Sequence, residues 1–212
     1  MTTLEHVKAN LDKYNEQLRG KSYDEIIEWA FTLTENRIVT TSFGIYSAVL
    51  LSTFYNKDKD IKVIWVDTRY SGDETYAHAR EVKERFSLNL HRYESLLSKA
   101  ETDDLYFSAH DVNEDGHAQF SEAVKLEPFR RALEEHQPAL WFTNIRVRQT
   151  EYRNKKDILS LSKDGILKVS PFYYWTDEEL DAFIEENDLP KNTFYFDPVK
   201  AFANRECGIH LQ

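Results

Sequence analysis

Leu4, Val7, Leu11, Tyr14 and Leu18 recur at spacings of three and four and stop before Gly20, which predicts one amphipathic helix with a glycine terminator. Ser22 and Glu25 then make a capping box for a second helix that carries Ile26, Ile27 and Trp29. Beyond it the period changes. A β-type run from Arg37 to Thr41 meets the turn Ser42-Phe43-Gly44 and a helical apolar pattern from Tyr46 to Tyr55. A second run, Ile61 to Val66, ends at Asp67 and leads through Ser71-Gly72 into a helix ending near Phe86. Leu88 to Arg92, Ala139 to Thr143 and Ile166 to Val169 read as three further strands. Pro128 suits the first turn of a helix through Glu135, and Thr176 with Glu179 caps a helix bearing Leu180, Phe183 and Ile184. Strands alternating with helices of this length predict an α/β fold: a mostly parallel, Rossmann-like sheet flanked by helices on both faces. The acidic stretch from about Ser98 to His117 lacks clear periodicity and reads as a surface excursion or a mobile segment. After Pro190 the pattern dissolves, so the expected organisation is a single domain over residues 1–190 and a mobile C-terminal tail over 191–212.

Charge and cysteine content narrow the function classes. Lys and Arg total 27 against 37 Asp and Glu, a net charge of -10, which disfavours nonspecific adhesion to nucleic acid or an anionic membrane. Met1 to Asn10 is polar, and no run approaches the roughly 18 apolar residues of a membrane span, so a cytoplasmic protein is expected. Cys207 is the one cysteine. An intrachain disulfide and a multi-cysteine metal or iron–sulfur site are therefore excluded, and redox chemistry at this thiol needs an outside partner.

Four places could carry chemistry. In Thr40-Thr41-Ser42-Phe43-Gly44-Ile45-Tyr46-Ser47, hydroxyls and a glycine lie between a strand and a helix, an arrangement suited to an anion; an ordinary strand-to-helix turn is the plain alternative. The Gly-Lys-Ser/Thr ending of a Walker loop is missing. Asp67-Thr68, followed by Glu74 and Thr75, sits at a strand's carboxyl end, where a carboxylate can accept from a ribose or an adenine amino group, or can simply cap the next turn. Arg146, Arg148 and Arg153 with Gln149 put three guanidinium groups within eight residues, able to fork onto phosphate or to form a solvated face balanced by Glu151 and Asp157; Lys125, Arg130 and Arg131 could add to the positive charge. Finally, Cys207 lies in a polar segment beside Arg205 and His210, which favour the reactive thiolate, although a lone cysteine is more often a small buried hydrophobe.

Asp111, Asn113, Asp115, Gly116 and Glu122 match the spacing of an EF-hand calcium loop. The match is discounted, because Ala118 stands where an aliphatic residue is usual, Pro128 soon follows, and no second hand exists to pair with it.

Taken together, the chain from Arg37 onward resembles the phosphoadenylyl-sulfate (PAPS) reductases, within the adenine-nucleotide α-hydrolase-like superfamily. The most specific element is Arg205-Glu206-Cys207-Gly208-Ile209-His210, similar to the family's terminal Glu-Cys-Gly-Leu/Ile-His signature. Thr41-Ser42-Phe43-Gly44 with Ser47 is similar to its phosphosulfate loop. Val66-Asp67-Thr68, Lys125-Leu126-Glu127-Pro128, the set Arg146, Gln149 and Arg153, and Lys168-Val169-x-Pro171 also match. Asn144 and Arg69 stand where the family has glycine, and Lys191 to Asn204 is shorter than the corresponding segment.

The resemblance implies a catalytic Cys207 with Arg205, Glu206 and His210 around it. It also implies a substrate site made by Thr41, Ser42, Phe43, Gly44, Ser47, Asp67, Thr68, Lys125, Arg146, Gln149 and Arg153. The implied activity is reduction of PAPS to sulfite and adenosine 3′,5′-bisphosphate through an S-sulfocysteine, in assimilatory sulfate reduction toward cysteine biosynthesis. No bound cofactor is expected; thioredoxin or glutaredoxin supplies the electrons, and the tail serves as a lid. A homodimer built on the N-terminal helix is compatible with this reading. Rival readings are reduction of the non-phosphorylated nucleotide (APS) without an iron–sulfur cluster, ATP-dependent adenylyl transfer, and an inactive nucleotide-binding module. Absence of a cysteine framework favours PAPS over APS.

Overall fold

A computed structural model describes residues 3–107, 114–197, 199 and 209. The chain opens with α1 (Leu4–Lys8), α2 (Leu11–Leu18) and α3 (Tyr23–Phe31). The single N-terminal helix expected from periodicity is thus two, because the Asn10 side-chain amide donates to the His6 carbonyl at 2.8 Å and competes with continued helix. Their apolar face is used by the molecule itself: Val7, Tyr14 and Leu18 pack into the core beside Ile26 and Ile27. The capping box of Ser22 and Glu25 forms as expected.

Next come β1 (Arg37–Thr41), α4 (Ser47–Ser52), β2 (Lys62–Asp67), α5 (Asp73–Arg85) and β3 (Asn89–Glu94). α4 stops short of Tyr55, where the Ser52 and Thr53 hydroxyls donate to the carbonyls of Val49 and Leu50 at 2.9 and 2.6 Å. The acidic stretch without clear periodicity contains α6 (Lys99–Phe107) and the start of α7 (Glu114–Ser121). A single π turn, Glu122–Leu126, joins α7 to α8 (Glu127–His136), whose Pro128 stands in its first turn. β4 (Leu140–Phe142), a 3₁₀ turn (Arg153–Lys155), β5 (Leu159–Leu161), β6 (Leu167–Val169) and α9 (Asp177–Glu186) complete the set. The capping box of Thr176 and Glu179 starts α9.

The six strands lie in the order β3-β2-β1-β4-β6-β5. All neighbours are parallel except the edge pair β5 and β6, and β5 was not expected from the sequence. Alternation along the strands splits the core in two. Val39, Val63, Trp65, Leu140 and Phe142 face the larger layer, which includes α1 to α5 and α9, while Ile38, Ile64, Val66 and Trp141 face Phe129 and Ala132 of α8. Helices on both faces are what a parallel sheet buried on both sides requires. β1 leads outward to β2, whereas β4 pairs on the other side of β1, so the chain reverses direction across the sheet between β1 and β4. A ligand crevice in an open α/β sheet lies at that reversal, outside the strands' carboxyl ends. Among the described residues, no helix is long and apolar enough to cross a membrane.

Candidate active site

A cavity of about 330 Å³ opens at this reversal. One wall is the loop between β1 and α4. Thr40, Thr41, Ser42, Gly44, Ile45, Tyr46 and Ser47 line the cavity, but Phe43 does not. Phe43 has φ 50°, in the left-handed region, and its ring is fully buried edge-on against Trp65 at 4.9 Å. That backbone geometry costs a bulky residue on the order of 1–2 kcal/mol, which burial of the ring offsets. The Thr41 hydroxyl accepts from the Phe43 amide at 3.0 Å and closes the turn. Phe43 therefore anchors the loop to the core and leaves Ser42 and Gly44 facing the cavity.

Behind the same wall, Ser47 Oγ lies 3.0 Å from His78 Nε2, both groups buried. Burial pushes the His78 imidazole down to about 4, so it is neutral near pH 7.

The facing wall is cationic: Lys125, Arg146 and Arg153 all reach the cavity. Lys125 projects from the π turn before α8, a local widening often found at functional sites. Its Nζ is 2.6 Å from Asp197 Oδ2. Arg146 follows β4; its Nη1 is 2.6 Å from Asp177 Oδ1, and its guanidinium lies 4.7 Å over the Tyr46 ring. Its Nε is buried and makes no hydrogen bond among the described residues. Gln149 joins the arginines, its Oε1 accepting from the Arg146 amide at 2.9 Å and from the Arg153 guanidinium. The Lys191 ammonium also stands 5.5 Å from the Tyr46 ring and pairs with Asp181, an ion pair that holds the ammonium above its usual pKa and the carboxyl below. Burial, followed by the negative field of Asp177 and Asp181, raises the Tyr46 phenol. Leu50, Leu51, Ile64, Val66 and Phe129 make an apolar floor. Hydroxyls, cations and apolar side chains around one cavity suit a ligand that is both aromatic and polyanionic.

Several expected residues lie elsewhere. Asp67 is 1% exposed and is absent from the cavity lining; it accepts from the Arg69 amide at 2.8 Å and the Tyr76 hydroxyl at 2.9 Å and pairs with Arg92. This is the turn-capping alternative. Thr68 likewise accepts from the Tyr70 amide at 3.3 Å. Arg69 takes φ 65°, a left-handed conformation that glycine adopts most readily, and holds the turn through Glu94 at 2.7 Å and the Leu97 carbonyl at 3.0 Å. Arg148 is exposed, Arg130 pairs with Glu122, and Arg131 pairs with Glu127 at 2.8 Å; none lines the cavity. Thr75 is buried and accepts from Asn192 at 3.0 Å. Arg205, Glu206, Cys207 and His210 fall outside the described residues, as do Asp111 and Asn113 of the calcium-like spacing.

The cavity also contains residues that the sequence did not single out for it. Asn144 donates to the Tyr46 carbonyl at 2.9 Å and ties the β4 end to the hydroxyl loop. The segment after α9 forms a strap: Asn192 donates to the Phe43 carbonyl at 2.9 Å, and Tyr195 and Asp197 reach the lining. Tyr195 carbons lie 3.5 and 3.6 Å from where a Gly44 Cβ would stand, an ordinary contact, so the Gly44 site has no strict steric need for glycine among these neighbours. Ile209 is buried with Ile64, Val66, Phe129 and Trp141 and lines the same cavity.

Comparisons with known proteins identify a family for this chain. A family model described as phosphoadenosine phosphosulfate reductase domain matches residues 36–200. The chain is 34% identical to the phosphoadenosine 5′-phosphosulfate reductase of Synechococcus sp., over 95% of this chain and 97% of that one. It is 36% identical to the enzyme of the same description from Xylella fastidiosa, covering 95% and 94%. A crystal structure of phosphoadenylyl-sulfate reductase from Candida auris, a phosphate complex, superposes with TM-score 0.71 at 26% identity over 89% of this chain and 87% of that one. An NAD synthetase from Campylobacter jejuni shares the fold at TM-score 0.55 and 12% identity.

Proposed function

The chain belongs to the phosphoadenosine phosphosulfate reductase family, and we propose that it converts 3′-phosphoadenylyl sulfate to sulfite and adenosine 3′,5′-bisphosphate, with thioredoxin or glutaredoxin as reductant, in assimilatory sulfate reduction in the cytoplasm. The observation that carries this reading is the position of Ile209. It follows Cys207 by two residues and lines the cavity that holds the hydroxyl loop and three cations. In this reading the apolar floor takes the adenine, while Thr41, Ser42 and the Gly44 backbone meet the oxygens of the phosphosulfate. Lys125, Arg146 and Arg153 neutralise its negative charge.

The chemistry is a two-stage exchange. The Cys207 thiolate attacks the sulfuryl sulfur, an S–S bond forms, and the bridging S–O bond breaks with its electron pair leaving on the phosphate. Arg146 and Lys125 stabilise that departing charge in a site partly closed to water. The product on the protein is S-sulfocysteine. A thiolate of the external dithiol then attacks Cys207 Sγ and expels sulfite; its second thiolate resolves the mixed disulfide, so the dithiol is oxidised by two electrons and Cys207 returns to the thiolate. With a single cysteine in the chain, both electrons come from outside.

The direct test is sulfite release from PAPS with reduced thioredoxin and, separately, glutaredoxin. Wild type is expected to turn over with at least one of them. Cys207→Ser is expected to bind adenosine 3′,5′-bisphosphate normally and release no sulfite. A Cys207→Ser protein that still made sulfite would exclude this mechanism.

A further inference from the structure

The Lys125 and Asp197 pair is the feature that the proposed reaction leaves unexplained. An anion-binding lysine beside a buried carboxylate has lost much of its pull on a ligand, because the carboxylate already neutralises it in a low-dielectric setting. The two side chains are 6% and 5% exposed, so water screens the pair poorly. By contrast, the Asp177 side chain that pairs with Arg146 is 66% exposed, and its charge is largely spent on solvent.

Asp197 is also held firmly. Its Oδ1 accepts from the Val199 amide at 3.1 Å, and Val199 is buried against Phe120 and Val124. Upstream, Asn192 fastens the strap to the Phe43 carbonyl and the Thr75 hydroxyl at 2.9 and 3.0 Å. An anion approaching Lys125 therefore meets a carboxylate pinned on both sides in sequence.

We infer that Asp197 is a specificity-determining residue: a fixed counter-charge that makes Lys125 a poor site for a lone inorganic anion while leaving it usable by a nucleotide carrying several anionic groups. This inference rests on the proposed reading of the cavity as a nucleotide site. A free phosphate or sulfate gains only what Lys125 and one neighbour offer and bears the full repulsion from Asp197. A bisphosphorylated nucleotide spreads its charge over Lys125, Arg146 and Arg153 and adds the apolar floor, so the same repulsion is a smaller part of its binding. Asp197 thereby keeps abundant small anions from occupying the cavity.

The test is calorimetric titration of the full chain with inorganic phosphate and with adenosine 3′,5′-bisphosphate, for wild type, Asp197→Asn and Asp197→Ser. Asn preserves the acceptor for Val199; Ser serves as the second variant should Asn disturb the strap, and circular dichroism checks the fold of each. In a folded variant, phosphate is expected to bind about tenfold tighter than in wild type. The bisphosphate should tighten by less, so the ratio of the two affinities falls. Phosphate binding that is unchanged or weaker, or equal tightening of both ligands, overturns the inference while leaving the nucleotide site intact. A wild type that binds no bisphosphate at all overturns the nucleotide reading, and this inference with it.

Discussion

The hydroxyl wall of Thr41, Ser42 and Ser47 and the cationic wall of Lys125, Arg146 and Arg153 face one cavity, but they are fixed by opposite means. The hydroxyl wall is positioned by the apolar core: Phe43 is buried in a left-handed conformation, and His78 stands neutral behind Ser47. The cationic wall is positioned by counter-charges and a shared amide, through Asp177, Asp197 and Gln149. A ligand can meet the first wall without disturbing anything. At the second it competes with carboxylates already in place. On the proposed reading, the hydroxyl side supplies shape and the cationic side selectivity by charge.

Mutations can separate the two. The largest effect is expected at Phe43→Ala, which removes a fully buried ring and should cost about 3–5 kcal/mol of stability. Urea unfolding measures it, and a loss under about 1 kcal/mol would mean that the core does not hold the hydroxyl wall. Arg146→Ala comes next. Asp177 can return to water, so the fold should survive, while kcat/KM for PAPS falls about 100-fold, or roughly 3 kcal/mol. If stability fell instead and activity did not, Arg146 would be a structural ion pair only.

The smallest effect concerns His78 and pH. Its folded pKa of about 4 lies below the unfolded value near 6.5, so the unfolded chain binds more protons between those values. Stability from this group is present above pH 6.5 and is lost as pH falls toward 4. Wild type should lose about 2 kcal/mol more than His78→Gln between pH 7 and pH 5. Parallel losses in the two proteins would show that the imidazole is not desolvated behind Ser47.

The contrast between the walls also explains what the sequence made legible. The parallel sheet followed from apolar runs such as Ile61 to Val66, and the helix starts from capping pairs such as Thr176 with Glu179. The hydroxyl loop and the set Arg146, Gln149 and Arg153 were visible because local sequence carries them to strand ends. β5 was not, since Leu159-Ser160-Leu161 is too short for an alternation to register. α6 was hidden by Glu101, Asp103 and Asp104, which dilute its apolar period. Asp67 left two readings open, and only the packing of Tyr76 and Arg92 around it shows a turn cap. Nothing local marks Asp197 as the partner of Lys125, because the two residues are 72 positions apart in sequence and meet through tertiary folding alone.

The central claim is that Cys207 is the nucleophile toward an activated sulfuryl group bound between the two walls. The most direct measurement is the intact mass of wild type and Cys207→Ser after incubation with PAPS and no reductant. The expected result is one sulfo adduct on wild type, mapped to Cys207, discharged by thioredoxin or glutaredoxin, and absent from the serine variant. An unmodified wild type that nonetheless yields sulfite once reductant is added, or an adduct on any other residue, would contradict it.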